Sequence, residues 1–117
     1  EAKFSTSAKD TNDAFFAADT GAECALVNDK STSNVFVSSP PQITCGGNNI
    51  TVTKNPASLF WSFTVPALNN GGKGCAIVTI DKTNPLLTTV ISKGHNNRSP
   101  SCVSSPNTVE RQLEVRY

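Results

Sequence analysis

The first 29 residues constrain this chain most, because their apolar pattern repeats as a helix does and nothing after them does. Phe4, Ala8, Phe15, Ala18, Ala22 and Leu26 recur at spacings of 4, 7, 3, 4 and 4, with Ala14, Ala17 and Ala25 flanking them. Those spacings keep side chains on one stripe of an α-helix. Lys3, Lys9, Asp10, Asp13 and Glu23 fall mostly off the stripe. The reading is one helix over residues 1–29. Its stripe is narrow and rich in alanine, so the helix should lie close against a sheet. Gly21 sits inside the pattern and costs about 1 kcal/mol relative to Ala, which close packing would explain and a helix break would explain differently. The pattern begins abruptly at Glu1 with no N-cap residue, and the expectation is a helix continued from a longer one.

From residue 35 to 117 the chain reads as strands and turns. Val35 to Val37 is an edge strand at most, stopped by Pro40 and Pro41. Gln42 to Cys45 and Asn49 to Thr53 flank Gly46-Gly47-Asn48 as a hairpin. Leu59, Trp61, Phe63 and Val65 alternate against Phe60, Ser62 and Thr64, and Trp61 and Phe63 are the expected core anchors. Asn69 to Gly74 reads as a hairpin connection. Cys75 to Asp81 is the next strand, Lys82 to Pro85 a turn, Leu86 to Ser92 a strand and Gly94 to Asn107 a loop. Val109 to Tyr117 alternates again, with Glu110, Glu114 and Arg116 on its wet face. Fold class is therefore α+β: a long N-terminal helix on an antiparallel sheet, in one domain over residues 1–117.

Four cysteines stand at 24, 45, 75 and 102. There is no Cys-x-x-Cys and a single histidine, so no metal site is expected. Two disulfides in an oxidising compartment are the better reading, free buried cysteines the alternative. Of three pairings, Cys24–Cys45 with Cys75–Cys102 is preferred, each worth about 3 kcal/mol at most in the chain-entropy account. Reduction should then lower stability markedly.

Formal charge is +1, which gives no electrostatic reason to expect nucleic acid or an anionic membrane surface as partner. No stretch of about 18 apolar residues is present, nor a signal-peptide pattern, so any targeting segment is expected upstream of Glu1.

Catalytic motifs are weak. His95 has no Gly-x-Ser-x-Gly elbow to accompany it and reads as a solvated loop histidine. Gly71-Gly72-Lys73-Gly74 lacks phosphate-loop spacing, and Asp10, Asp13 and Asp19 lack calcium-loop spacing. Asn49-Ile50-Thr51 and Asn97-Arg98-Ser99 match glycosylation sequons, a pattern common by chance in such a chain. Phe60, Trp61 and Phe63 would form a sugar platform if exposed. No enzyme and no cofactor are expected.

Two stretches resemble type IV pilin-like proteins. Ala14 to Leu26, centred on Ala17-Ala18-Asp19-Thr20-Gly21-Ala22-Glu23, is similar to the part of the family's first helix beyond the membrane segment. Thr88 to Gly94, leading through the Cys102 loop to Val109–Tyr117, is similar to the closing strands of minor pilins and pseudopilins. The chain departs from the family by lacking the prepilin peptidase site, the apolar half-helix and its early glutamate, and Glu1 is not that glutamate. The resemblance implies a structural subunit of an extracellular filament at the cell surface, held in the inner membrane before assembly by a segment not in this sequence. Its partners would be other pilin subunits, met through the helix, with Phe4, Ala8, Phe15, Ala18, Ala22 and Leu26 as the assembly face. Its action would be polymerisation and display. A secreted carbohydrate-binding or adhesive module is the rival expectation.

Overall fold

A computed structural model describes residues 2–29, 42–45, 48–55, 58–68, 74–84, 86–96, 102 and 108–117, with side chains of the helix from residue 12 onward. The expected strand at Val35–Val37, the Gly46-Gly47 turn and residues 69–73 lie outside these.

Helix α1 covers Ala2–Asp29 and is unbroken at Gly21. Seven strands follow: β1 (Ile43–Cys45), β2 (Asn48–Ile50), β3 (Thr53–Lys54), β4 (Phe60–Leu68), β5 (Gly74–Asn84), β6 (Leu87–His95) and β7 (Glu110–Arg116). β1 and β2 form the expected hairpin, with Ile43 opposite Ile50 and Cys45 opposite Asn48. The other five form one antiparallel sheet in chain order, β3-β4-β5-β6-β7. Thr53 belongs to β3, opposite Ser62, and not to the hairpin.

Alternation sorts the sheet into two faces. Inward rows run Trp61–Ile80–Val90–Val115, Phe63–Val78–Ser92–Leu113 and Val65–Ala76–Gly94–Arg111. Helix α1 lies across β5, β6 and β7 on this face, and β2 of the hairpin lies against β4. Trp61, Phe63 and Val65 are buried as expected, in one cluster with Ile43, Cys45, Ile50, Val52, Val78, Ile80 and Val90.

Two strands run further than the sequence suggests. Lys82-Thr83-Asn84 is not a turn: β5 passes through it with one extra residue between Asp81 and Asn84. The bulge is held by its own side chains, a local device typical of Asp and Asn. Asp81 Oδ1 accepts from Thr83 Oγ1 at 2.6 Å and Thr83 N at 2.9 Å, and Asn84 Oδ1 accepts from Leu86 N at 2.9 Å. Those two bonds from Thr83 hold the Asp81 carboxyl below its usual range. Likewise β6 continues through Lys93 to Gly94 and His95, the last two expected in a loop. A second bulge separates Val65 from Leu68 and carries Pro66, which has no N–H for a ladder.

Both disulfides join the preferred partners, Cys24–Cys45 and Cys75–Cys102, with Cα separations of 5.8 and 5.7 Å. The first ties α1 to β1, and the second ties β5 to the segment between β6 and β7.

Candidate functional site

The helix–sheet seam is built from small residues on both sides. Ala14, Ala17, Ala18, Ala22 and Ala25 are buried, with Gly21 among them. Opposite lie Ala76, Val78, Ser92 and Gly94. A Cβ added at Gly21 would stand 2.6 Å from Ser92 Oγ, 2.8 Å from Val78 Cγ2 and 2.9 Å from Ala76 Cβ. One added at Gly94 would stand 2.9 Å from Ala18 Cβ and closer still to the backbone of Ala14 and Ala18. Gly21 is therefore a packing residue, as the first of its two readings held.

This approach corrects the expected stripe. Its centre is Ala14–Ala17–Gly21–Ala25, and Phe15 lies about a third of a turn away at about 100° per residue. Phe15 therefore lies off the side of the helix that the sheet covers and is left 50 % exposed. Ala18 and Ala22 are committed to the sheet and Leu26 is half-buried. The side chains of Phe4 and Ala8 lie outside the described residues. The outward side of α1 instead shows Phe15, Phe16 at 60 % exposure and Val27 at 69 %, with Asp19 and Glu23 between them. Phe16 was missed, although two adjacent phenylalanines cannot share one narrow stripe.

At its C-terminal end the helix is pinned by Asp29. Lys82 Nζ stands 2.8 Å from Asp29 Oδ1, and the Tyr117 hydroxyl donates to Oδ2. An acidic residue is unfavourable at this pole of the helix dipole, and the ammonium offsets it. Burial pushes the Tyr117 hydroxyl well above the ordinary tyrosine range, and the neighbouring Asp29 carboxylate raises it further.

A second cluster lies on the opposite face of the sheet. Register places Cys75 on β5, His95 on β6 and Glu110 on β7 directly side by side. Contrary to expectation His95 is buried, 2 % exposed, and ends a strand. Its Nδ1 is 2.9 Å from the Cys102 carbonyl oxygen and its Nε2 is 2.7 Å from Glu110 Oε1. Each ring nitrogen therefore has a hydrogen-bond partner, one from the backbone of Cys102 and one from β7. Cys102 itself has φ 57°, a left-handed backbone that costs a non-glycine residue about 1 kcal/mol or more. The disulfide and the His95 hydrogen bond hold it there. Glu110, assigned to the wet face, keeps an exposed side chain but is engaged by His95. Nothing local in the sequence marks this cluster, because it arises from cross-strand register.

Of the three candidate sugar-stacking rings, Trp61 and Phe63 are 2 % and 4 % exposed and belong to the core, while Phe60, on the other face of β4, is half-buried. No helix among the described residues is long and apolar enough to cross a membrane. No protein-family model, curated protein or solved structure matches this chain. Its helix on an antiparallel sheet is compatible with a pilin-like fold.

Proposed function

We infer that this chain is the globular part of a type IV pilin-like subunit, a minor pilin or pseudopilin in preference to a major one. Its work is assembly into a surface filament and display there. The observation that carries the reading is the asymmetry of α1. One side is reduced to alanine and glycine so that the helix beds into an antiparallel sheet, while the other presents Phe15, Phe16 and Val27 to solvent. Large apolar side chains exposed on one side of a helix favour a protein neighbour. The two sequence stretches that resemble the family fall on this helix and on β6 and β7. On this reading the assembly face is the outward side of α1, with Phe15 retained from the expected set and Ala18 and Ala22 replaced by Phe16 and Val27.

The test is made on the native protein. Filaments sheared from the source cell are searched for this chain by mass spectrometry, with intact mass and amino-terminal sequencing of what is found. Recovery in filaments, with a methylated amino terminus and an apolar stretch running into Glu1, supports the reading. A free secreted protein whose terminus was left by an ordinary signal peptidase sinks it. Phe16→Asp in the full-length protein should reduce incorporation into filaments while leaving the melting temperature of the domain within a few degrees, since Phe16 is exposed.

A further inference from the structure

We propose that reduction of the Cys75–Cys102 disulfide opens a site for one zinc-class divalent ion, held by Cys75 Sγ, Cys102 Sγ and His95 Nδ1. The three ligand atoms lie within 4.8 Å of one another and all three residues are buried. His95 Nδ1 is 3.5 Å from Cys102 Sγ. Tetrahedral zinc, with Zn–S near 2.3 Å and Zn–N near 2.0–2.1 Å, holds such a pair about 3.6 Å apart. That separation is present before any movement. The two sulfurs must part to about 3.8 Å by the same geometry, which breaking their bond permits.

Glu110 supplies the second argument. Its carboxylate backs His95 Nε2 at 2.7 Å. A carboxylate behind the far nitrogen is the arrangement that orients metal-binding histidines. In the oxidised protein Nδ1 is occupied by the Cys102 carbonyl. Reduction removes the covalent tie on Cys102, whose backbone is left-handed, and so frees its carbonyl to turn away from Nδ1. Two thiolates and an imidazole select zinc over magnesium or calcium. Water completes the fourth position.

The step balances as follows. A dithiol reductant gives two electrons and two protons to the S–S bond and becomes a disulfide itself, leaving two protein thiols. Each thiol loses its proton to solvent as its Zn–S bond forms.

The experiment reduces the whole chain with an immobilised phosphine under anaerobic conditions and titrates it with Zn²⁺ by calorimetry. Co²⁺ serves as the spectroscopic probe. The expected result is one equivalent bound per reduced chain and none per oxidised chain, with the visible ligand-field bands of a tetrahedral thiolate site. The Cys75→Ser/Cys102→Ser protein, which keeps Cys24 and Cys45, should lose this binding. Glu110→Gln should weaken it about 10–100-fold. If the reduced chain unfolds, zinc should restore the near-ultraviolet circular dichroism of Trp61. The proposal is overturned if the reduced chain binds no zinc or the serine variant binds as tightly as the parent. It is also overturned by a Glu110→Gln affinity equal to the parent's, or by an unfolded reduced chain that zinc does not restore.

Discussion

Over β6 the inner face of the sheet carries Ser92 and Gly94 and meets the alanines of α1. Over β4 it carries Trp61, Phe63 and Val65 and shares a cluster with Ile43, Ile50 and Val52 from the hairpin region. The helix half brings backbones close but buries little apolar surface per contact, about 0.8 kcal/mol for a methyl group against about 1.5–3 for a large side chain. The hairpin half buries large side chains, is short, and is tied to α1 by Cys24–Cys45. The two halves therefore fail in opposite ways. Removing volume harms the hairpin half, and adding volume harms the helix half.

The largest effect is expected at Trp61. Trp61→Ala should cost about 3–5 kcal/mol in urea unfolding, with Trp61→Phe much milder. A loss below about 1 kcal/mol would mean that the hairpin half is not where stability resides. Cutting the tie by Cys24→Ala/Cys45→Ala should cost about 3 kcal/mol, because it closes a segment of 21 residues in the unfolded chain. An unchanged midpoint would show that the hairpin stays on the sheet without it.

Gly94→Ala probes the other half. It removes nothing, yet the new methyl would meet the backbone of α1, and about 1–3 kcal/mol should be lost. Gly21→Ala should cost less. Alanine regains about 1 kcal/mol of helix propensity, and Ser92 Oγ can rotate away where a backbone cannot. A stabilised Gly94→Ala protein would show that the seam has slack.

How much of this was legible follows from how local each signal is. The helix, the alternation of Trp61, Phe63 and Val65, and the packing use of Gly21 could be read because period and residue size act within a few neighbours. The extension of β6 could not, since Gly94 and His95 read as loop residues. Gly94 is in the strand because α1 approaches there. Phe15 was misplaced because spacing gives the period of a stripe but not its centre, and the centre is set by the sheet. His95 was read as solvated because its partners come from β5, β7 and Cys102, brought together by register alone.

At the end of the seam, Tyr117→Phe should cost about 1 kcal/mol or less, since Tyr117 is 36 % exposed. The effect has a pH signature with a definite sign. The folded protein holds the phenolic proton more tightly than the unfolded chain. That contribution is fully present below the unfolded tyrosine value of about 10 and is lost as pH rises above it toward the folded value. Parent stability should fall above about pH 10 more steeply than that of Tyr117→Phe. Parallel curves would mean that the Asp29 contact is not kept in solution.

The smallest expected effect, and the sharpest test of the seam, is at Ser92. Its hydroxyl is buried with no hydrogen-bond partner among the described residues. An orphaned polar atom is a cost, so Ser92→Ala should be neutral or stabilising by about 1 kcal/mol, measured by urea unfolding. The same hydroxyl is the nearest atom to a methyl at Gly21. Removing it should therefore soften Gly21→Ala, and the double variant should be more stable than the sum of the single effects. Strict additivity would mean that Ala76 and Val78, not Ser92, set the closeness of the helix. A destabilised Ser92→Ala protein would show that the hydroxyl has a partner in solution, and the seam would then be held by a polar contact as well as by the absence of side chains.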